Sequence, residues 1–157
     1  DIAWQEKVYA HLPPLPNRPE TFGAQFVVDS EGEFVRENER LLLASIDWSV
    51  DKVVSEVRAL NGLCVPAHVD RPSYSLIANL GFVPSELGFE ALELTHLVEP
   101  EEAKRRFPQL SEYTLIVDGD AHRLSEMQCR TMVKVHEVNV AELRMAFKGQ
   151  EERRVIV

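Results

Sequence analysis

The chain is poor in several things at once, and each shortage excludes a class of protein. Among 157 residues there are two cysteines, Cys64 and Cys129. That is too few for a disulfide framework and fits reduced thiols in a cytoplasmic protein. No run approaches the roughly 18 apolar residues that span a membrane. The opening decapeptide, DIAWQEKVYA, has neither a basic n-region nor the apolar core of a secretory signal. Basic residues are also short: 17 Lys and Arg stand against 26 Asp and Glu, a net charge of −9. This argues against binding a nucleic-acid backbone or an anionic membrane. Finally, there is no Gly-rich phosphate loop, no G-x-S-x-G elbow and no H-E-x-x-H pair, so nucleotide-dependent phosphoryl transfer and serine hydrolysis lack support.

What is present is an ordinary globular composition, 45% hydrophobic and 27% charged, long enough for about one domain. Trp4, Val8 and Leu12 recur at helical spacing, which predicts a helix over 3–12. Pro13, Pro14, Pro16 and Pro19 then impose an extended loop. QFVVD and EFVRE flank Ser30-Glu31-Gly32 as a hairpin. Residues 1–48 therefore read as an N-terminal appendage to an α/β body over 49–157.

From residue 49 the rhythm is regular. Ser49 caps a helix with Val53, Val54, Val57 and Leu60 as its stripe and Gly62 near its end. LCVPAH reads as a buried strand ending near His68. SLIANLG is a short helix closed by Gly81, FEALEL (89–94) a strand, Glu99 to Phe107 a helix, and YTLIV (113–117) the clearest strand. A short helix is expected near Ser125–Cys129 and a strand in MVKVHEV. A capping box at Asn139–Glu142 opens a helix through Phe147, and RRVIV ends the chain as a strand. Strands alternating with helices imply βαβ units and a largely parallel sheet.

Chemistry in such folds sits at the carboxyl ends of strands, and two of the five histidines fall there. His122 follows YTLIV within Asp118-Gly119-Asp120-Ala121-His122. A carboxylate and an imidazole two residues apart share one side of an extended segment and suit Zn, Mn or Fe. Asp-Gly-Asp reads equally well as a solvated turn. His68-x-Asp70 repeats the spacing, and Arg71, Ser73 and Ser75 offer a guanidinium and hydroxyls to an anionic group. The plainer alternative there is a strand-end histidine with Asp70 and Arg71 as a local ion pair. His96 is a further strand-end candidate. His11 reads as an exposed loop residue and His136 as a sheet-edge one.

PAHVDRPSYSLIANLGFVP (66–84) together with DGDAH (118–122) resembles the C-terminal half of the polymerase-and-histidinol-phosphatase (PHP) family of metal-dependent phosphoesterases. DGDAH is similar to that family's last motif, Ser-Asp-Ala-His, with Gly119 in place of serine. The resemblance covers residues 49 to 148. It implies a distorted β/α barrel, of which this chain would be a half, with up to three metals at its carboxyl-terminal mouth. His68, Asp120 and His122 would each match a ligand of a different metal. A bridging hydroxide would attack a phosphorylated small molecule held by Arg71.

The family's His-x-His, Thr-Asp-His and bridging glutamate are absent from the sequence, and would precede residue 1. A seven-stranded barrel needs roughly 200 residues at about 30 per βα unit, so a truncated or shortened product is expected, inactive alone. A half barrel leaves raw sheet edges, which predicts self-association. The reading from another class is a non-catalytic, self-associating α/β interaction module.

Overall fold

A computed structural model describes residues 2–157. The chain divides into two compact units, one ending at Val53 and the other spanning Val54–Val157. The architecture is mixed α/β, and among the described residues no helix is long and apolar enough to cross a membrane.

The first unit holds helix α1 (Ile2–Ala10), a short α2 (Pro19–Phe22), and strands β1 (Phe26–Val28) and β2 (Phe34–Glu37). The strands form the antiparallel hairpin that the alternation predicted, with a register shift between Val27 and Val28. Asp29 shapes its turn: Oδ1 accepts from the backbone N–H groups of Glu31 and Glu33, each at 2.9 Å. The 39–45 segment makes one bridge, Arg40 to Pro16, and otherwise turns. Helix α3 (Val50–Ala59) runs across the division between the units. Val54 is buried, whereas Leu60 lies just past the helix end and is exposed, so the predicted stripe ends one turn early.

The second unit carries the apolar core. Strand β3 (Ala91–Thr95) pairs in parallel with β4 (Thr114–Asp118) along its full length, Ala91 opposite Thr114 through Thr95 opposite Asp118. Ala91, Leu92 and Leu94 are completely buried. Such an apolar run suits a parallel strand covered on both faces. Leu92 and Leu94 share the core with Val54, Val69, Phe89, Ala103, Leu110 and Leu115. Helix α4 (Leu76–Leu80) is capped by Ser75, whose hydroxyl accepts from Ala78 N, and closed by Gly81 at φ 81°. Helix α5 (Pro100–Arg106) starts after Glu99, with proline at its first position, where a missing N–H costs nothing.

Three expectations are corrected. LCVPAH is not a regular strand: it runs extended beside β3, bonding through Glu93 N to Pro66 O and Val69 N to Glu93 O. Pro66 has no N–H to give a ladder, and His68 adopts φ 32°, so one residue bulges out of register. The strands also do not join into one largely parallel sheet. Among the described residues only β3 and β4 are parallel; β5 (Met132–Lys134) and β6 (Arg154–Ile156) form a separate antiparallel pair. Among the described residues the sheets are small and close into no barrel. Finally, the capping box of α6 (Val140–Phe147) is half made. Asn139 accepts from Glu142 N at 2.9 Å, but the Glu142 carboxylate turns to His136 N and Arg153 instead.

Candidate functional site

The carboxyl ends of β3 and β4 lie side by side, and the loops leaving them enclose a cleft of about 740 Å³. Asp70 builds one wall. Its carboxylate accepts from the backbone N–H and the hydroxyl of Thr95, tying the 68–71 turn to the end of β3. The local Asp70–Arg71 ion pair of the plainer reading is therefore not the arrangement found. Arg71 reaches instead across 49 residues to Asp120, Nη1 to Oδ2, at 2.6 Å. This contact joins the two sequence motifs, PAHVDRPSYS and DGDAH. The other Asp120 oxygen, Oδ1, lies 3.5 Å from His122 Nε2.

Of the predicted site residues, Arg71, Asp120 and His122 line the cleft, while His68 does not. The His68 Nδ1 atom is buried and has no hydrogen-bond partner. His68 and Asp120 both stand in the left-handed region, at φ 32° and 44°. Aspartate and histidine both enter that region more readily than most residues that carry a Cβ. His96, a weak candidate on sequence, also lines the cleft.

Two charged residues near the motifs escaped the sequence reading, and only the second of them lines the cleft. Glu93, in the middle of β3, is the one charged side chain in an otherwise apolar run. Burial pushes its carboxyl up from the usual range, and the charge of Asp118 adds to this; the His68 ring opposes it, Asp120 raises it further, and a hydrogen bond from the His68 backbone lowers it. A glutamate interrupting Ala-Leu-x-Leu was the signal that would have found it. Arg106, in the last turn of α5, supplies a second guanidinium to the cleft. Nothing in its amphipathic setting distinguishes it from a solvated helix cation.

Gly119 has a different role from the one its turn context suggested. The left-handed residue of the turn is Asp120, and Gly119 itself does not have positive φ. What it provides is room: a Cβ there would lie 2.4 Å from Arg130 Nη1 and 3.3 Å from the Glu126 carbonyl oxygen. The Arg130 guanidinium packs into this space, and its Nη1 is buried without a partner. Substituting Gly119→Ala is expected to expel the Arg130 guanidinium while shifting Tm by no more than about 3 °C, because the clash falls on the end of a flexible side chain. Arginine side-chain NMR would report the displacement, and an unchanged Arg130 environment would contradict it.

Among the described residues, no three His, Cys, Asp or Glu side chains converge as they would to hold a metal ion. The unpartnered His68 Nδ1 and the Asp120–His122 pair are suitable donors, but they do not complete a ligand set by themselves. Four carboxylates line the cleft (Asp70, Asp118, Asp120 and Glu126) against two guanidiniums, Arg71 and Arg106. No family model, no curated protein and no solved structure matches this chain.

Proposed function

We propose that this chain carries the second half of a metal-dependent phosphoesterase site of the PHP type, on half of a distorted β/α barrel. The remaining metal ligands would come from a further polypeptide segment or another chain. The observation that carries this reading is the Arg71–Asp120 contact, which closes the two resembling motifs over one cleft at the ends of parallel strands. On this reading Arg71 has a positioning and a binding role. One of its N–H groups is committed to Asp120, and others can meet the oxygens of a phosphate ester. Arg106 would add a second positive charge. His122 would hold Asp120 from the other side, and His68 would offer its free ring nitrogen.

The carboxylate excess has a direct consequence. Four acids against two arginines repel a bare phosphate dianion, and a divalent cation such as Zn, Mn or Fe would reverse that local balance. Phenylphosphonate, a non-hydrolysable probe, is therefore expected to bind the chain weakly alone and at least about tenfold more tightly with MnCl₂, by isothermal titration calorimetry. Arg71→Ala should weaken both affinities about tenfold. Asp120→Ala should abolish the manganese effect. Phosphonate affinity indifferent to manganese and to Arg71 would remove this reading and leave the non-catalytic interaction module.

A further inference from the structure

In the first unit the only buried residue among those described is a polar one, Asn38. Its interior is a hydrogen-bonded knot. Tyr9 donates to Asn38 Oδ1 at 3.0 Å, Gln25 donates to the Asn38 and Arg40 carbonyls, and Arg40 donates to the Tyr9 carbonyl at 2.7 Å. Such bonds contribute only about 1 kcal/mol each, net of what water offered. Meanwhile eleven large apolar side chains of this unit are exposed. A two-stranded hairpin is marginal by itself, and contiguous exposed apolar surface marks an interaction site.

The apolar groups are not scattered. Val28 stands opposite Phe34 across the hairpin, and the Phe26 and Phe34 rings meet edge to face at 5.6 Å, so the three share one face. Phe26 is 61% exposed and Phe34 64%. The bulge puts Val27 and Arg36 opposite each other as a separate pair; both line the groove against α1. Arg36 is the hairpin's one cation over residues 26–37, and it belongs to that groove side. Around the aromatic face stand Asp29, Glu31 and Glu33 in the turn, and Glu37 opposite Phe26.

We infer that this face is a docking surface for a segment of a different protein, apolar at its centre and flanked by Lys or Arg. The charge pattern selects that occupant. A second copy would set carboxylate against carboxylate around two identical faces, in a chain that already carries −9. An anionic membrane is repelled on the same ground. A basic-flanked apolar segment instead satisfies both features together, covering the phenylalanines and neutralising their acidic rim. The inference is independent of the phosphoesterase reading, because it uses no residue of that cleft.

The test uses the full chain and two fluorescein-labelled nonapeptides, one alternating valine and lysine, the other valine and glutamate, read by fluorescence polarisation. The valine–lysine peptide is expected to bind and the valine–glutamate peptide not. Phe26→Ser with Phe34→Ser leaves every charge in place and should weaken binding at least about tenfold; Glu31→Lys with Glu33→Lys leaves the apolar face and should do the same. Circular dichroism confirms that each variant keeps its fold. Equal binding of the two peptides, or binding unaffected by the phenylalanine changes, overturns the inference. A dimer of the unliganded chain in sedimentation velocity that Phe34→Ser disperses also overturns it, and assigns the face to a second copy.

Discussion

Leu92→Ala is expected to lower the stability of the Val54–Val157 unit by about 3 kcal/mol, and its Tm by about 12 °C or more. Leu92 is fully buried in β3, the strand flanked by β4 on one side and by the extended 66–69 segment on the other. Truncation removes buried methyl groups and leaves a cavity that hydrogen-bonded neighbours on both sides prevent from collapsing. Leu92→Met conserves volume and should cost less than about 1.5 kcal/mol. Urea unfolding followed by circular dichroism separates the two, and equal losses would mean that β3 is not the rigid centre of this unit. The cleft should register the damage as well, since Thr95 ends this strand and anchors Asp70. Loss of Leu92 should therefore reduce phosphonate affinity along with stability.

What was legible in the sequence was local. The hairpin, β4, the Ser75-capped α4 and the start of α6 each follow from neighbours within a few residues: an alternation, a cap, a glycine at the end. LCVPAH (63–68) departs from the expected strand: its apolar composition is that of a strand, whereas Pro66 and the positive φ of His68 break the ladder. The partners of β5 and β6 were also invisible, because pairing direction is decided by tertiary packing and not by the three residues in each strand. The same division holds for the site. Spacing singles out Asp120 and His122, and the neighbouring hydroxyls single out Arg71; all three line the cleft. That Arg71 would pass over its neighbour Asp70 for Asp120, 49 positions away, is a property of the folded chain. Thr95 holds both Asp70 oxygens and so fixes that carboxylate against the end of β3.

The second large effect is expected at the ionic pin that fastens the C-terminal segment. The Arg153 side chain is only 8% exposed and meets Glu142 through two bonds, Nε to Oε2 at 2.6 Å and Nη2 to Oε1 at 2.7 Å. It also donates to Glu151 at 2.9 Å and lies 3.2 Å from His136 Nδ1. Glu142 Oε2 additionally accepts from His136 N. One carboxylate thus holds the loop before α6, the helix itself and the approach to β6. Hydrogen bonds from Arg153, then from the His136 backbone, bring the Glu142 carboxyl from 4.5 down to about 2. A carboxyl depressed on folding contributes stability that is complete above its unfolded value and fades as pH falls from about 4.5 towards 2.

Glu142→Gln should therefore lower Tm by roughly 5 °C or more at neutral pH, because the buried Arg153 guanidinium loses its two-bond anionic partner and keeps only the exposed Glu151 carboxylate as counter-charge. The gap between variant and wild type should narrow through that acid window, as wild type loses the same interaction by protonation. The exposed pairs of Glu101 and Glu102 with α5 cations occur in both proteins and cancel from the difference. Replacing both partners, Glu142→Leu with Arg153→Met, should recover much of the loss, since an apolar pair leaves no buried charge unanswered. If the gap instead stays constant with pH, Glu142 acts only as a neutral hydrogen-bond acceptor; if the double variant is worse than Glu142→Gln, the pin contributes through its charge. Either result would separate geometry from electrostatics in the segment that closes this unit.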